Sequence, residues 1–207
     1  MIQLFNGDCL EAMKKMKDNE FDLTVCDPPY GIGMDGQREH KASNRLHHEK
    51  KDWDKETPPK EYFSELQRVS KNQIIWGANY FISKIENSDT PCWVIWDKCQ
   101  EFSGAVFEMA WTSFNSPCKA FRLSRVEAYT SDVKIHPTQK PVALYTWLLD
   151  KYAKPGDRIL DTHLGSGSIA IACHNLGYDL VGYELDKDYF QAAKKRLEEH
   201  QKQLRLF

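Results

Sequence analysis

Short apolar runs alternate along this chain with longer amphipathic stretches, and this alternation constrains the fold more than any other feature of the sequence. β-branched and aromatic runs are typical of strands, whereas apolar residues spaced three and four apart are typical of helices. The predicted strands are Ile2–Phe5, Leu23–Cys26, Gln73–Trp76, Trp93–Trp96, Ala110–Phe114, Ala120–Leu123, Arg158–Leu160 and Leu180–Tyr183. The predicted helices are Cys9–Met16, Lys60–Val69, Pro141–Tyr152, Ser168–Leu176 and Asp186–Gln203. The pattern therefore predicts an α/β sheet.

The size and composition fit one globular domain over residues 1–207. The 28 Lys and Arg residues are nearly balanced by 30 Asp and Glu residues, so any contact with nucleic acid has to be local. The 6 cysteines are scattered without the paired spacing of a zinc site, which predicts reduced thiols and no metal. No charged leader or membrane-length apolar segment is present, and we expect a cytoplasmic protein without a membrane partner.

A candidate catalytic segment, Asp27-Pro28-Pro29-Tyr30, follows the second predicted strand directly. The Asp27 carboxylate and the Pro28 carbonyl can accept both hydrogens of an aromatic exocyclic amine and so direct its lone pair toward an electrophile. Two consecutive prolines stiffen the turn, and Tyr30 offers a face on which a flipped base can stack. The alternative is a proline-rich turn in which Asp27 is a turn residue and Tyr30 packs in the core.

A second motif resembles a nucleotide-cofactor loop. The strand ending at Asp161 runs into Gly165-Ser166-Gly167 and then into a helix that begins at Ser168. Glycines allow backbone amides to approach a ligand closely, and the helix start adds partial positive charge. The next strand ends at Glu184, where a carboxylate can accept both hydroxyls of a ribose. The motif does not separate a nicotinamide from S-adenosylmethionine, and a plain packing turn is the alternative.

The two motifs occur in the order catalytic segment first, cofactor loop second, with His136-Pro137-Thr138-Gln139-Lys140-Pro141 between them. In this the chain resembles the permuted, β-class amino-methyltransferases of DNA, over nearly its whole length from Gly7 to Arg196. The resemblance implies a Rossmann-like sheet, mostly parallel with an antiparallel strand, in circularly permuted motif order. It also implies transfer of a methyl group from S-adenosylmethionine to N6 of a flipped adenine, within a restriction-modification system.

The resemblance assigns further residues to the cofactor. Thr138, Gln139 and Lys140 are implied to line its methionine end, where Lys140 could meet the carboxylate, and Asp8 is implied to reach its adenine amine. Asp8 as a plain turn residue is the alternative. Thr162 and His163 depart from the proline and aromatic usual in the family, and we expect His163 to serve in contact or packing. The full cofactor-binding prediction is Asp8, Cys9, Asp27, Thr138, Gln139, Lys140, Asp161, Thr162, His163, Gly165, Ser166, Gly167, Ser168, Glu184 and Leu185.

Double-stranded DNA is the expected partner, and two segments are predicted to contact it. One is a mobile loop over residues 31–60, and the other is an insertion over residues 97–135. The substrate-binding prediction is Tyr30, Arg38, Lys41, Arg45, Asn79, Tyr80, Lys119, Arg122 and Arg125. The chain leaves little room for a separate target-recognition domain, so we expect these segments, or a second copy of the chain in a homodimer, to read the DNA sequence.

Three rival interpretations remain. Cytosine-N4 methylation uses the same geometry, but the family generally favours Ser over Asp at the first catalytic position. Methylation of RNA or of a protein glutamine uses a related tetrapeptide, typically with Asn first and with the cofactor motif ahead of it. A nucleotide-binding oxidoreductase or a non-catalytic module would leave Asp27–Tyr30 and His136–Pro141 without an explanation.

Overall fold

An eight-stranded sheet forms the centre of the molecule, with strand order β1-β8-β7-β2-β3-β5-β4-β6. The computed structural model describes residues 1–36, 51–100, 105–130 and 134–203. The strands are β1 (Ile2–Asn6), β2 (Phe21–Cys26), β3 (Ser70–Trp76), β4 (Trp93–Asp97), β5 (Phe107–Thr112), β6 (Lys119–Arg122), β7 (Arg158–Asp161) and β8 (Asp179–Glu184). All eight predicted strands are present, although β3 and β5 each begin three residues before their predicted starts.

The sheet is mixed but mostly parallel. Strands β1, β8, β7, β2 and β3 pair in parallel with one another, and β4 pairs in parallel with β6. Strand β5 runs antiparallel to both of its neighbours, β3 and β4. This confirms the predicted α/β sheet with an antiparallel strand, while the circular permutation stays a prediction.

The helices are α1 (Cys9–Met13), α2 (Lys60–Val69), α3 (Arg125–Ala128), α4 (Val142–Tyr152), α5 (Ser168–Leu176) and α6 (Lys187–Lys202), with short 3₁₀ turns at Ala78–Tyr80 and Ile82–Lys84. Five were predicted, and Gly177 ends α5 at a φ of 78° as expected of a C-terminal cap. Helix α3 was not predicted. Ser124 and Glu127 form a capping box at its start, a signal that the sequence already carried.

Helices cover both faces of the sheet and bury two cores. On one face, Leu144 and Leu148 of α4 pack with Ile169 of α5 and with Ala193 and Leu197 of α6. The opposite core contains Met13 of α1 together with Tyr62, Phe63 and Leu66 of α2. The parallel strands between these layers are consequently apolar on both sides, which is why they read as continuous apolar runs in the sequence.

The carboxyl ends of five parallel strands, β1, β8, β7, β2 and β3, lie at one edge of the sheet. Because β5 is antiparallel to β3, its first residues lie at this same edge, and the Gly77 amide donates to the Met109 carbonyl at 2.9 Å. Ligands of open α/β sheets bind at this edge. Among the described residues, no helix has the length and apolarity to cross a membrane, and no three His, Cys, Asp or Glu residues are grouped to hold a metal.

Candidate active site

A cavity of about 650 Å³ opens at the carboxyl edge of the sheet. Its lining comes from the turns after β1, β2, β7 and β8, from residues 136–140 before α4, and from residues 51–59 before α2. Asp27 and Pro29 of the catalytic segment therefore line the same cavity as the cofactor loop, more than a hundred residues away in the sequence, whereas Pro28 and Tyr30 are not among the lining residues. Its volume is within the range of pockets that hold drug-sized ligands and cofactors.

The catalytic segment is held in place from both ends. The Tyr30 hydroxyl donates to Asp27 Oδ1 at 2.5 Å. The buried Asp54 carboxylate accepts three backbone amides, from Tyr30 at 2.7 Å, Gly31 at 2.9 Å and Met34 at 2.8 Å. Three charge-assisted bonds on one buried carboxylate fix the chain that leaves the double proline. This role of Asp54 was not predicted from the sequence.

The Tyr30 ring contacts both Gly77 and Tyr80. It stacks on the half-exposed Tyr80 ring, with centroids 5.2 Å apart and an interplanar angle of 16°. The same ring lies so close to Gly77 that an added β-carbon there would be 2.0 Å from Tyr30 Cε1. Tyr80 is thus beside the predicted stacking residue, whereas Asn79 is an exposed neighbour.

Lys140 bridges the catalytic carboxylate to a second one. Its Nζ lies 2.5 Å from Asp27 Oδ2, 3.0 Å from Glu108 Oε2 and 3.2 Å from the Tyr30 hydroxyl oxygen. These three acceptors match the three hydrogens of an ammonium group. Lys140 lines the cavity as predicted, but in this arrangement its donors are directed at Asp27 and Glu108 and none is left for the carboxylate of a cofactor.

Burial and charge act against each other in this cluster. Burial raises the pKa of the Asp27 carboxyl above its ordinary range, and the Lys140 ammonium opposes that rise. Burial also acts to raise the pKa of Glu108, but Lys140 and Lys98 together lower it to about 2. For Lys140, burial favours the neutral amine, yet Asp27 and Glu108 raise its pKa overall. Lys140 therefore stays charged between two carboxylates.

The cofactor loop presents its acidic residue as predicted. Glu184 at the end of β8 accepts the Gly165 amide through Oε2 and the Asp186 amide through Oε1, each at 2.8 Å. Each carboxylate oxygen keeps a second lone pair, so both remain able to accept a ligand hydroxyl. Thr162, His163, Gly165, Ser166 and Leu185 also line the cavity.

Gly167, Ser168 and Asp161 lie behind the loop and do not line the cavity. A β-carbon at Gly167 would lie 3.1 Å from the Ala193 β-carbon of α6, and the Ser168 hydroxyl bonds with Arg196 at 3.0 Å. The buried Asp161 carboxylate accepts the His163 amide at 3.0 Å. The structure thus gives these three predicted cofactor residues roles in shaping the loop and its packing rather than in lining the cavity.

Asp8 and Cys9 line the cavity, as do Thr138 and Gln139. Asp8 is the N-cap of α1, accepting the Leu10 amide at 2.8 Å and the Glu11 amide at 3.3 Å. This is the turn role that the sequence left open as an alternative, and both amides bond to Oδ1 alone. Gln139 is buried, and its Oε1 accepts the Ile135 amide at 2.9 Å.

The unusual pair Thr162 and His163 contacts α2. Thr162 Oγ1 lies 2.6 Å from the Tyr62 hydroxyl and 3.0 Å from His163 Nδ1, and the His163 ring packs edge-on against Tyr62. Burial lowers the pKa of His163 to about 4, so the ring is neutral at physiological pH. Contact and packing, as predicted, are what this geometry permits.

Several cavity residues were not predicted from the sequence. The His136 ring lies between Trp53, at a centroid distance of 5.2 Å, and Tyr189, at 4.3 Å. Lys51 Nζ lies 2.9 Å from Asp186 and 2.6 Å from Asp188 at the start of α6. Residues 51–59, expected to belong to a DNA-closing loop, thus form one wall of this cavity.

The charge of the lining is acidic. Five carboxylates face two lysines: Asp8, Asp27, Glu56, Glu184 and Asp186 against Lys51 and Lys140. Both lysines are already paired with carboxylates. An acidic lining favours a cationic ligand and disfavours a pyrophosphate.

The basic residues predicted to contact DNA differ in their exposure and in their partners. Arg125 is exposed, Lys119 is half-buried, and Arg122, itself largely exposed, bonds through Nε to Asp97 Oδ2 at 3.0 Å. Arg38, Lys41 and Arg45 lie outside the described residues. The predicted contacts with DNA stay predictions.

Comparison with known proteins identifies the family of the chain. A family model for DNA methylases (N6_N4_Mtase) matches residues 78–195, which include the cofactor loop. Two curated proteins are each 26% identical to the chain across 95% of its length: the type II methyltransferase M.HpaI of Haemophilus parainfluenzae, of which 74% is covered, and M.HinfI of Haemophilus influenzae, of which 68% is covered.

Solved structures share the fold. The M1.HpyAVI–SAM complex is 26% identical, with a TM-score of 0.63 over 95% of this chain and 100% of that one. The PvuII cytosine-N4-specific DNA methyltransferase is 12% identical, with a TM-score of 0.66 over 97% of this chain and 90% of that one, a likeness in fold alone. The family model covers more than half of the chain, and residues of the catalytic segment and of the cofactor loop line one cavity. The chain therefore belongs to the DNA methylase family and is a DNA methyltransferase.

Proposed function

We propose that the protein transfers a methyl group from S-adenosylmethionine to the N6 amine of a flipped adenine in double-stranded DNA. The observation that carries this proposal is the position of Asp27, whose carboxylate lines the cavity that also holds Glu184 and the glycine loop. An amine held at Asp27 is therefore next to the cavity suited to the methyl donor.

The roles of the catalytic segment follow from its acceptors. Asp27 and the Pro28 carbonyl accept the two amine hydrogens, which directs the lone pair of the nitrogen toward the methyl group. Tyr30, and Tyr80 beside it, offer aromatic surface to the base ring. The nitrogen–methyl bond would form as the sulfur–methyl bond breaks, and this direct transfer needs no covalent enzyme intermediate. The extra amine proton would then pass to water.

The cavity fits S-adenosylmethionine by its chemistry. The Glu184 oxygens suit ribose hydroxyls, and the acidic lining suits a sulfonium and an ammonium group better than the pyrophosphate of a nicotinamide dinucleotide. When bound, this cofactor supplies an activated methyl group on a positively charged sulfur. The M1.HpyAVI–SAM complex shares 26% identity with this chain, which supports the same choice here.

Cytosine-N4 methylation is the second candidate. The family model covers methylases of both amines, and the PvuII enzyme with the same fold is cytosine-N4-specific. Asp rather than Ser at position 27 is the feature that favours adenine. Recognition by a homodimer and a cytoplasmic location stay predictions.

The test uses unmethylated genomic DNA and isotope-labelled S-adenosylmethionine. After incubation, the DNA is digested to nucleosides, separated, and in parallel sequenced for modified bases. We expect label in N6-methyladenine at a defined sequence, and none with the Asp27→Ala variant, which should still bind the cofactor. Label in N4-methylcytosine would replace the adenine assignment, and transfer by Asp27→Ala at the wild-type rate would contradict the role of Asp27.

A further inference from the structure

A line of four alternating charges runs from the catalytic carboxylate to the edge of the β4–β5 hairpin. Asp27 Oδ2 is 2.5 Å from Lys140 Nζ, Lys140 Nζ is 3.0 Å from Glu108 Oε2, and Glu108 Oε1 is 2.6 Å from Lys98 Nζ. The cluster is neutral as a whole, with two carboxylates and two ammonium groups. The Lys140 and Lys98 side chains are only 2% and 11% exposed, so solvent screens these contacts little.

The pairing of β4 with β5 positions Glu108 and Lys98, the two charges farthest from Asp27. Glu108 is opposite Trp96 in the β4–β5 pairing, and Lys98 follows Trp96 by two residues, on the same face. The Lys98 amide donates to the Val106 carbonyl at 3.0 Å, which continues the ladder past β4. Lys98 Nζ also lies 5.3 Å from the centre of the Trp96 ring. Glu108 is thereby anchored by backbone pairing and by a lysine of its own.

A shift of Lys140 in either direction would impair Asp27 as an acceptor. A lysine paired with Asp27 alone would move fully onto that carboxylate and compete with the substrate amine for its oxygens. A lysine drawn away from Asp27 would leave a buried carboxylate without a counter-charge, which favours its protonated form. Asp27 can accept amine hydrogens only while it is ionised and has lone pairs to spare.

We propose that Glu108 is a positioning residue, which shares the Lys140 ammonium with Asp27 and so leaves Asp27 acceptor capacity for the substrate amine, while Lys140 remains the counter-charge of Asp27 and Lys98 holds Glu108 in place. This rests on the proposed role of Asp27. Glu108 does not touch the substrate amine and acts through Lys140.

Loss of the Glu108 charge and loss of Lys98 are expected to change the pKa of Asp27 in opposite directions. Removing the charge of Glu108 releases Lys140 onto Asp27, which lowers the pKa of Asp27. Removing Lys98 leaves Glu108 with Lys140 alone, which draws Lys140 away and raises the pKa of Asp27. The other titratable groups that act on this line, namely Cys26, Tyr30, Tyr145 and Asp161 near Asp27 and Lys134 near Glu108 and Lys98, are the same in both variants.

The first experiment follows the Asp27 carboxyl by ¹³C NMR in the free protein, with ¹³C-labelled aspartate and Asp27→Asn to assign the signal. Relative to wild type, we expect the titration midpoint to fall by about one pH unit in Glu108→Gln and to rise by a similar amount in Lys98→Met. Glu198→Gln and Lys195→Met, at exposed positions of α6, serve as matched controls and should leave it unchanged. Midpoints that stay at the wild-type value, or that move in the same direction in both variants, would overturn the proposal.

The second experiment separates position from charge through activity. Glu108→Asp keeps the charge but withdraws the carboxylate by one methylene from Lys140. We expect kcat to fall at least tenfold in Glu108→Gln and in Glu108→Asp, with the dissociation constant for S-adenosylmethionine within about threefold of wild type. An unchanged kcat in Glu108→Asp would show that charge alone matters and would refute the positioning role.

The two experiments distinguish this inference from the proposed function. A wild-type protein that methylates no DNA would refute the proposed function, while the NMR titration would still test the shared lysine. Circular dichroism reports whether each variant folds. Lys98→Met tests the sharing of Lys140 even where Glu108→Gln does not fold.

Discussion

Burial has opposite consequences for the two titratable residues on either side of Thr162. Burial, assisted by the charges of Asp27 and Glu184, raises the pKa of Asp161 to about 8, although the His163 amide bond opposes this. Burial lowers the pKa of His163 to about 4. In both cases the neutral form is favoured because a charge is costly away from water. The start of the cofactor loop is therefore close to uncharged at neutral pH.

The raised pKa of Asp161 makes the free protein less stable as pH increases. An unfolded aspartate has a pKa of about 3.9. Between that pH and about 8 the folded protein holds a proton that the unfolded chain has lost, so the free energy of unfolding falls through this window. Asp161→Asn keeps the oxygen that accepts the His163 amide and removes the ionisation. We expect its stability relative to wild type to increase by at least about 1 kcal/mol between pH 5.5 and pH 8.5.

Urea unfolding at the two pH values measures this difference, with Asp89→Asn as the control at an exposed aspartate. The control should follow the wild-type pH dependence. A constant difference between Asp161→Asn and wild type across the window would mean that Asp161 is ionised throughout.

The neutral His163 ring predicts tolerance of an apolar aromatic residue. His163→Phe preserves an edge contact with Tyr62 and loses a hydrogen bond with Thr162, which contributes about 1 kcal/mol. We expect the cofactor dissociation constant, measured by titration calorimetry, to rise less than about tenfold. Its pH dependence from 5.5 to 8 should parallel wild type, because a group with a pKa of about 4 does not titrate there. A pH dependence lost in His163→Phe would contradict this.

At the residue scale, the sequence was most informative where a motif is contiguous. Asp27, Thr138, Gly165 and Glu184 were predicted and all line the cavity. Asp54 and Glu108 were not predicted, because each acts on the catalytic segment from more than twenty residues away, through bonds that exist only in the folded chain. A lone carboxylate in a sequence does not reveal which amide or ammonium it will meet.

At the scale of elements, the turn after β3 determines where Tyr30 can lie. Gly77 has a φ of 70°, and a β-carbon there would lie 2.0 Å from Tyr30 Cε1. Gly77→Ala thus combines left-handed strain of about 1–2 kcal/mol with a collision that displaces the ring. We expect kcat for methylation to fall at least tenfold, since small displacements of positioning groups are costly to catalysis.

Gly177→Ala is the matched control for Gly77→Ala. Gly177 has a φ of 78° but open space where a β-carbon would lie. It should lose about 1–2 kcal/mol of stability from the same left-handed strain and keep wild-type kcat. Equal losses of kcat in the two variants would show that backbone strain, and not the contact with Tyr30, is responsible.

The strand and helix types were predictable because apolar periodicity is a local property, whereas some bounds were not. Strand β5 begins at Phe107, three residues before the predicted start at Ala110, since the charge of Glu108 interrupts the apolar run. That charge is compatible with the strand only because Lys98 and Lys140 neutralise it. The missed residues of the site thus lie where pairing between elements overrides the local pattern.

At the scale of the whole molecule, the cavity depends on a wall that arrives from far along the chain. Residues 51–59 precede α2, yet Lys51 pairs with Asp186 and Asp188 at the start of α6 and lies 4.8 Å from the centre of the Tyr189 ring. Trp53 covers His136 next to the same helix. The strands and helices could be anticipated from the alternation of apolar and amphipathic stretches, but this closure could not, because no pattern in residues 51–59 indicates their partner.

Because the Lys51 contacts join the wall to α6, their loss should loosen the cavity without altering the catalytic segment. Lys51→Met is expected to raise the dissociation constant for S-adenosylmethionine about three- to tenfold at low salt and to leave kcat at saturating cofactor near wild type. The difference should shrink with increasing salt, since the Lys51 side chain is 18% exposed and the Asp188 side chain 84%. Lys55→Met, which removes an exposed pair with Asp52, is the control and should bind the cofactor as wild type does. Titration calorimetry at two salt concentrations makes the measurement. Equal affinities of Lys51→Met and wild type at low salt would mean that the wall is held by Trp53 and its neighbours alone.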